Sequence, residues 1–532
     1  MRLAVFWCVG SLGLCAAWLL AQSPAVFTAS VLPFTHRNSP TAQKYLLETM
    51  GGGIALLDFN NDGRLDIFLV NSGKLADPTP EPPDFARRES AFHNRLYRQT
   101  ATGAFVDVTR EAGLADSPNV YGMGAATGDI DNDGDTDLYL TAYGENTLYR
   151  NNGNGTFTRT AEARTGGWSV SAAFLDYDND GRLDLFVARY LDWTIGRNIL
   201  CGTPFHAYCR PDKFPGVSNV LFHNEGNGRF LDVSRQTGVA AIIGKAMGVA
   251  VNDFNGDGYA DVAVANDGME QFLLQNDRGT GFREVAIEAG VALSDDARTY
   301  AGMGVSFADY NNDGRADLVI TNLALEKYAL YRNEGDGSFR YTTLESGLAA
   351  ETAPHSGWGV GLHDFDNDGR KDLFAAQGHV LDNVERIQSN LRYLEEPGLY
   401  WNRDGRFRAA ALNLPRVAGR GAAFGDINND GRMDVVLAVL GGQPMVLLNR
   451  WGPPGLTLRL RGARANRDGI GAVVTAGGQT LYATTSGSYL AASDHRVHLA
   501  PGARQVEIVW PGGVRQVAAL GAGPLVTIAE KP

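Results

Sequence analysis

Seven nine-residue segments carry nearly all of the chemistry this chain displays: DFNNDGRLD at 58–66, DIDNDGDTD at 129–137, DYDNDGRLD at 176–184, DFNGDGYAD at 253–261, DYNNDGRAD at 309–317, DFDNDGRKD at 364–372 and DINNDGRMD at 426–434. Position 1 is always aspartate (Asp58, Asp129, Asp176, Asp253, Asp309, Asp364, Asp426). So are position 5 (Asp62, Asp133, Asp180, Asp257, Asp313, Asp368, Asp430) and position 9 (Asp66, Asp137, Asp184, Asp261, Asp317, Asp372, Asp434). Position 3 is Asp131, Asp178 or Asp366 in three segments and Asn60, Asn255, Asn311 or Asn428 in the others. Position 6 is glycine throughout.

Oxygen ligands at alternate positions suit calcium, which takes six to eight oxygens in flexible geometry. Position 7 (Arg64, Asp135, Arg182, Tyr259, Arg315, Arg370, Arg432) can add its backbone carbonyl. Glycine at position 6 permits the sharp turn that a Cβ would oppose. The first half of each segment resembles the loop of an EF-hand, but a β-type run follows instead of a helix and no glutamate stands at position 12. Without a cation, three or four carboxylates within a few ångströms repel one another and some must take up protons. The competing reading is that Asp-Gly merely makes turns, which leaves the fixed aspartates at positions 1 and 9 without a reason. About seven structural calcium ions are expected. Their charge nearly balances the formal net charge of −13. At free calcium ten times the dissociation constant, each ion would add about 1.4 kcal/mol of stability, or roughly 10 kcal/mol together. Magnesium is the lesser candidate, because it keeps its own waters.

The elements around the segments repeat as well. A Gly-rich apolar stretch precedes each one and a short β-type run follows, as in IFLV, LYLT and LFVA. Most units then carry a tight hairpin signal, such as LYRNNGNGTF at 148–157 or LYRNEGDGSF at 330–339. Each unit thus predicts strand, acidic loop, strand, strand, turn, strand. Start-to-start gaps of 71, 47, 77, 56, 55 and 62 residues mark an array of such four-stranded units. Closing the array into a ring removes the long open edges that a flat sheet would expose. A solenoid would favour shorter and more regular repeats. The expected fold is all-β: a seven-bladed β-propeller over 26–451, then a small sandwich-like β-domain over 452–532, divided at Gly452-Pro453-Pro454-Gly455 and packed against or beside the propeller.

These repeats resemble the VCBS/FG-GAP repeats of integrin-α-type propellers. Segment 41–66 is similar to the first blade of proteins like the cartilage acidic protein. The tail resembles the ASPIC/UnbV domain in Asn466-Arg467-Asp468-Gly469-Ile470-Gly471-Ala472, Gly487-Ser488-Tyr489-Leu490, Ser493-Asp494-His495 and Trp510-Pro511-Gly512-Gly513. The resemblance implies an extracellular calcium-binding propeller used for recognition or adhesion, with the loop residues above as its metal positions.

Met1-Arg2, an apolar run from Leu3 to Leu20 and small residues at Ala21, Ser23 and Ala25 predict a secretory signal peptide over 1–25, with a membrane anchor as the competing reading. No later stretch is apolar enough to span a membrane. The chain is expected to be exported to the periplasm, the cell surface or the medium. Beyond the leader only Cys201 and Cys209 remain, and in an exported loop they favour one disulfide. The acidic charge argues against nucleic-acid partners, and an extracellular protein or polysaccharide is the expected partner. The largest insertion between loops, around 190–220, is the candidate contact surface.

No HExxH, serine-hydrolase elbow or phosphate-cradling loop is present. GWGVG at 357–361 occupies a strand slot that every unit shares, and Trp168 and Trp358 read as core. His223, His355, His363, His379 and His495 show no metal-ligand spacing and read as ordinary histidines. The alternative reading is a polysaccharide lyase or hydrolase, which would need acids outside the loops, such as Asp192, Glu225, Glu270 and Glu334, to face one cleft.

Overall fold

The computed structural model describes residues 25–521 and 523–531. The expected leader therefore lies, but for Ala25, outside the described residues. The chain is all-β, with three α-helices of four or five residues among the described residues. Each acidic segment joins two strands of one antiparallel sheet. The strands before the segments are Ile54–Leu57, Tyr121–Gly128, Ser169–Leu175, Ala246–Asn252, Val305–Ala308, Gly357–His363 and Gly419–Gly425. The strand after each begins on its position-9 aspartate, from Asp66–Leu69 in the first sheet to Asp434–Val439 in the seventh. A third and a fourth strand complete every sheet. The seven first strands pack on one another in a closed cycle, the last returning to the first, in a propeller-like arrangement.

The seventh sheet takes its fourth strand from the other end of the chain. Phe27–Val31 pairs antiparallel with Met445–Asn449, Phe27 opposite Asn449 and Val31 opposite Met445. The ring thus closes by a backbone ladder between the two ends of the repeat region. Glycines on the first strands let neighbouring backbones approach. A Cβ on Gly421 would stand 2.5 Å from the Gly52 carbonyl oxygen, and one on Gly124 would stand 2.7 Å from that of Val170. Trp168 and Trp358 are buried in the central core, and the Trp358 indole N–H donates to the Gly378 carbonyl at 2.6 Å.

The C-terminal region forms a three-stranded and a four-stranded sheet around Leu458, Leu460, Val474, Val506, Ile508 and Trp510. It does not simply lie against or beside the ring, as its sequence suggests. Residues 485–494 leave it and thread down the axis. Ala491–Ala492 pairs parallel with Ile54–Leu57. The Leu490 carbonyl accepts the N–H groups of Ile54 and Ala125, and the Leu490 N–H donates to the Ser171 hydroxyl. The Gly487 N–H donates to the Val249 carbonyl, and Ser488 exchanges backbone hydrogen bonds with Val305. The Ser488 hydroxyl accepts the Val360 N–H at 3.1 Å and donates to the Ala422 carbonyl at 2.7 Å. This one segment therefore touches the first strand of all seven sheets. The contacts run through backbone groups and hydroxyls, whose polar atoms would otherwise be buried without partners along the axis.

Candidate metal centres

Each loop is first folded by its own aspartates. The position-1 carboxylate accepts the N–H of position 5 at 2.9–3.1 Å and of position 6 at 2.7–3.0 Å in all seven loops. The position-9 carboxylate accepts the position-2 N–H of its own loop at 2.9–3.3 Å. Its other oxygen accepts an N–H from the third strand of the same sheet at 2.7–2.8 Å. Position 9 is thus a staple between loop and sheet. The residue donating that last N–H also reaches sideways. Asn151, Asn224, Asn276, Asn333, Asn402 and Asn449 donate their side-chain amides to the position-2 carbonyl of the preceding loop, and Gln99 closes the cycle onto Ile427, all at 2.7–2.9 Å.

A second cycle runs through position 4. Asn61, Asn132, Asn179, Asn312, Asn367 and Asn429 stand at positive φ and donate to the position-6 glycine carbonyl of the next loop at 2.8–3.1 Å. Loop 4 breaks this cycle, because its position 4 is Gly256.

Burial sets the electrostatics. It pushes the position-9 acids up, Asp66 and Asp317 to about 8 and Asp137 to about 9, with neighbouring loop aspartates adding to the shift. Asp129 and Asp176 rise to about 7, and Asp364 and Asp426 to about 6, again mainly through burial. The geometry fits a cation best in loops 2, 3 and 6, the loops with aspartate at position 3. There Asp129, Asp131 and Asp137, then Asp176, Asp178 and Asp180, then Asp364, Asp366 and Asp372 each bring one ligand oxygen within 4.8 Å of the others. The Oδ1 atoms of Asp131, Asp178 and Asp366 are buried without a hydrogen-bond partner, as is that of Asp430 in loop 7. An oxygen in that state lacks what a hard divalent ion supplies. In the loops with asparagine at position 3, the amides of Asn60, Asn255, Asn311 and Asn428 donate to the position-5 carboxylate at 3.0–3.2 Å. The position-7 side chains of Arg64, Arg315 and Arg432 fold onto that same carboxylate in three of these loops, and Arg182 does so on Asp180 in loop 3.

His223 is not the ordinary histidine its spacing suggests. Its Nδ1 lies 3.1 Å from Asp184 Oδ1 and 3.6 Å from Asp178 Oδ2, so it joins the third loop. It sits at the strand position where Arg98, Arg150 and Arg332 stand in other sheets, and the aligned hairpin segments 148–157, 221–230 and 330–339 already place it there; what the sequence does not show is that this position faces the loop aspartates. The acids outside the loops do not gather. Asp192 pairs with Arg197, Glu334 pairs with Arg332, and Glu225 stands 3.8 Å from His223.

The C-terminal region covers this ring of loops. Arg459 pairs with Asp58 at 2.8 Å, and Asp468 accepts the Asp129 N–H at 3.3 Å. Arg496 donates to the Asn429 side chain and the Asp426 carbonyl, and His498 lies 2.8 Å from the Asn367 amide oxygen. At the opposite end a cavity of about 410 Å³ is lined by Met50, Met247, Met303, Tyr300, Trp358 and Asp267, among others. Its rim includes Cys209 to Asp212 from the insertion, where Cys201 and Cys209 form the expected disulfide.

A closed set of four-stranded sheets, each turning on an acidic nine-residue loop, defines an all-β repeat protein of the propeller-like kind. The chain belongs to the FG-GAP-like repeat family, which it matches over 58–140, 129–187, 215–264, 253–320, 309–375 and 392–437, while 462–531 match the ASPIC and UnbV family. It is 32% identical over 172 residues to cartilage acidic protein 1 of Xenopus tropicalis, covering 31% of this chain and 25% of that protein. Against the Mus musculus protein of the same name it is 30% identical over 193 residues, covering 34% and 28%. The chain thus spans about a quarter of these relatives' length. Among solved structures it is similar to an Agrocybe aegerita lectin specific for non-reducing terminal N-acetylglucosamine (16% identity, TM-score 0.41, covering 74% of this chain and 87% of that one). It is also similar to a Bacillus licheniformis rhamnogalacturonan lyase (11%, TM-score 0.39, covering 80% and 76%).

Two outcomes follow from the loops. Gly256→Asn, at a φ of +72° with no atom within 4 Å of the new Cβ, is expected to restore the missing loop-to-loop bond and raise stability by about 0.5–1 kcal/mol, read as a higher urea midpoint. The second concerns pH. Carboxylates held above their unfolded value of about 3.9 bind protons more tightly folded than unfolded. Metal-free protein should therefore be least stable above about pH 8–9 and gain stability as the pH falls toward about 5, where these groups are neutral. A metal-free melting temperature that drops as the pH is lowered from about 9 to about 5 would contradict the assignment.

Proposed function

We propose that the protein is an exported, calcium-stabilised seven-bladed β-propeller (26–451) carrying a C-terminal β-domain (452–532), and that it acts as an extracellular recognition or adhesion module. The orphaned carboxylate oxygens in loops 2, 3, 6 and 7 carry the calcium reading. One ion per loop follows from the repeat for loops 2 to 7, with loop 1 set apart by Arg459. The cation would hold carboxylates ionised inside a buried ring, and the residues around it do the folding. The disulfide supports an oxidising compartment. No helix among the described residues is long and apolar enough to cross a membrane.

Recognition belongs to the end of the ring away from the loops. The loop end is covered by the chain's own C-terminal region, and the axis is filled by 485–494. At the other end the insertion exposes Ile199, Leu200 and Phe205, each more than 40% accessible, and Leu325 and Ile387 stand exposed on the cavity rim. Apolar side chains gathered in this way favour a protein surface over a polysaccharide as partner.

Chelation of the mature protein, residues 26–532, is expected to lower its melting temperature by 10 °C or more (on the order of several sites lost), and calcium should restore it. An unchanged melting curve would reduce the loops to turns. For the recognition face, Leu200→Ser with Phe205→Ser should leave the melting temperature within a degree or two and weaken retention on whole cells or matrix at least tenfold (roughly two buried apolar side chains). Retention equal to wild type would place the contact surface elsewhere.

A further inference from the structure

We infer that loop 1 holds no calcium, because Arg459 from the C-terminal region stands in the ion's place. This rests on the calcium reading of the other loops. Asp58 is buried, and its carboxylate already accepts the N–H groups of Asp62 and Gly63. Arg459 Nη2 then donates to Asp58 Oδ2 at 2.8 Å. The guanidinium is itself held. Its side chain is only 15% exposed, and its strand, Leu456–Arg461, is locked by parallel pairing that sets Arg459 opposite Thr527. The rest of the loop is also satisfied. Asp62 takes the Arg64 guanidinium and the Asn60 amide. Neither Asp58 nor Asp62 has a buried oxygen without a partner, and loop 1 contributes no cluster of three ligand groups; loops 4 and 5 share both features, so it is the Arg459 guanidinium on Asp58 that sets loop 1 apart.

Other loops meet cations too, the buried Lys371 and Arg496 among them, but none of these forms an ion pair with a position-1 aspartate as Arg459 does with Asp58. Arg182 on Asp180, Arg315 on Asp313 and Arg403 on Asp366 are 37–50% exposed and can swing into water when an ion arrives. Arg459 cannot, since leaving Asp58 would bury its charge alone under the C-terminal sheets. Loop 2 is the opposite case. Its position 7 is Asp135, its side-chain ion pair is the long one from Arg150, 3.9 Å from Asp131, and the C-terminal region adds the carboxylate of Asp468 beside Asp129. The same region therefore removes an ion from one loop and favours one in the next.

Calcium per chain, counted by native mass spectrometry and by elemental analysis after dialysis, tests this. Wild type is expected to carry six ions, one fewer than its seven loops. Arg459→Met should carry one more than wild type, and Arg459→Lys the same as wild type. Should Arg459→Met fold poorly by circular dichroism, the aspartates decide instead. Asp58→Asn should leave the count unchanged, while Asp309→Asn in loop 5 should lose one ion. Seven ions on wild type, or one ion lost in Asp58→Asn, would overturn the inference while leaving the calcium reading intact. No calcium on any of these chains would sink that reading, and this inference with it.

Discussion

Everything in this molecule is arranged around carboxylates taken out of water at one end of a ring. Of the fourteen aspartates at positions 1 and 9 of the seven loops, all but Asp253 are buried. A buried carboxylate survives only with hydrogen bonds, opposite charge or a proton. The loops supply the first from their own backbone. They can do so because the chain curls tightly, with asparagine or glycine at positive φ in position 4 and glycine in position 6. Curling costs backbone freedom, and the two amide cycles between loops spread that cost over the ring. A loop that opened would break bonds in its neighbours on both sides, so the loops gain order together.

The same constraint separates the two ends of the molecule. A face of seven acidic loops is a poor surface to leave bare, and the C-terminal region meets it with Arg459, Arg496 and His498 while sending residues 485–494 down the axis. The axial segment bonds to every first strand, so the sheets cannot splay individually. Chain ends reinforce this, with Phe27–Val31 completing the seventh sheet. Ring, axis and cap therefore form one cooperative body, and the end left uncovered is the one built from the longest insertion and its disulfide.

The sequence makes some of this legible and hides the rest for physical reasons. Seven copies of one spacing, flanked by β-type runs and Asn-Gly or Asp-Gly hairpins, are local signals, and the sheets they predict are present in the expected strand order. The Cys201–Cys209 bridge was readable from the expectation of export, and the buried Trp168 and Trp358 from their position before a loop. Contacts between distant segments were not. Phe27–Val31 alternates no more clearly than many loops, and nothing in it names Met445–Asn449 as partner. Gly487-Ser488-Tyr489-Leu490 marks a family resemblance, but its role depends on carbonyls and hydroxyls meeting seven different strands, which leaves no hydrophobic period to detect. Asn151 and its equivalents lie inside or beside the hairpin signals, and nothing local marks the amide of each as spanning two sheets.

A repeat motif defines a site only up to what its neighbours add. Loop 4 keeps all four invariant aspartate and glycine positions yet lacks the asparagine that ties each other loop forward. Loop 3 gains an imidazole because His223 replaces an arginine one strand away. Loops 1 and 2 differ at position 3 and position 7, and the larger difference is imposed from outside, by a guanidinium on Asp58 and a carboxylate beside Asp129. A charge at hydrogen-bond distance, held by a packed strand, changes the electrostatics of a loop as much as the spacing of its own aspartates does, so equal spacing does not make equal surroundings. Seven loops of one pattern are therefore not seven equal sites, and the domain that differentiates them is the one that closes over them.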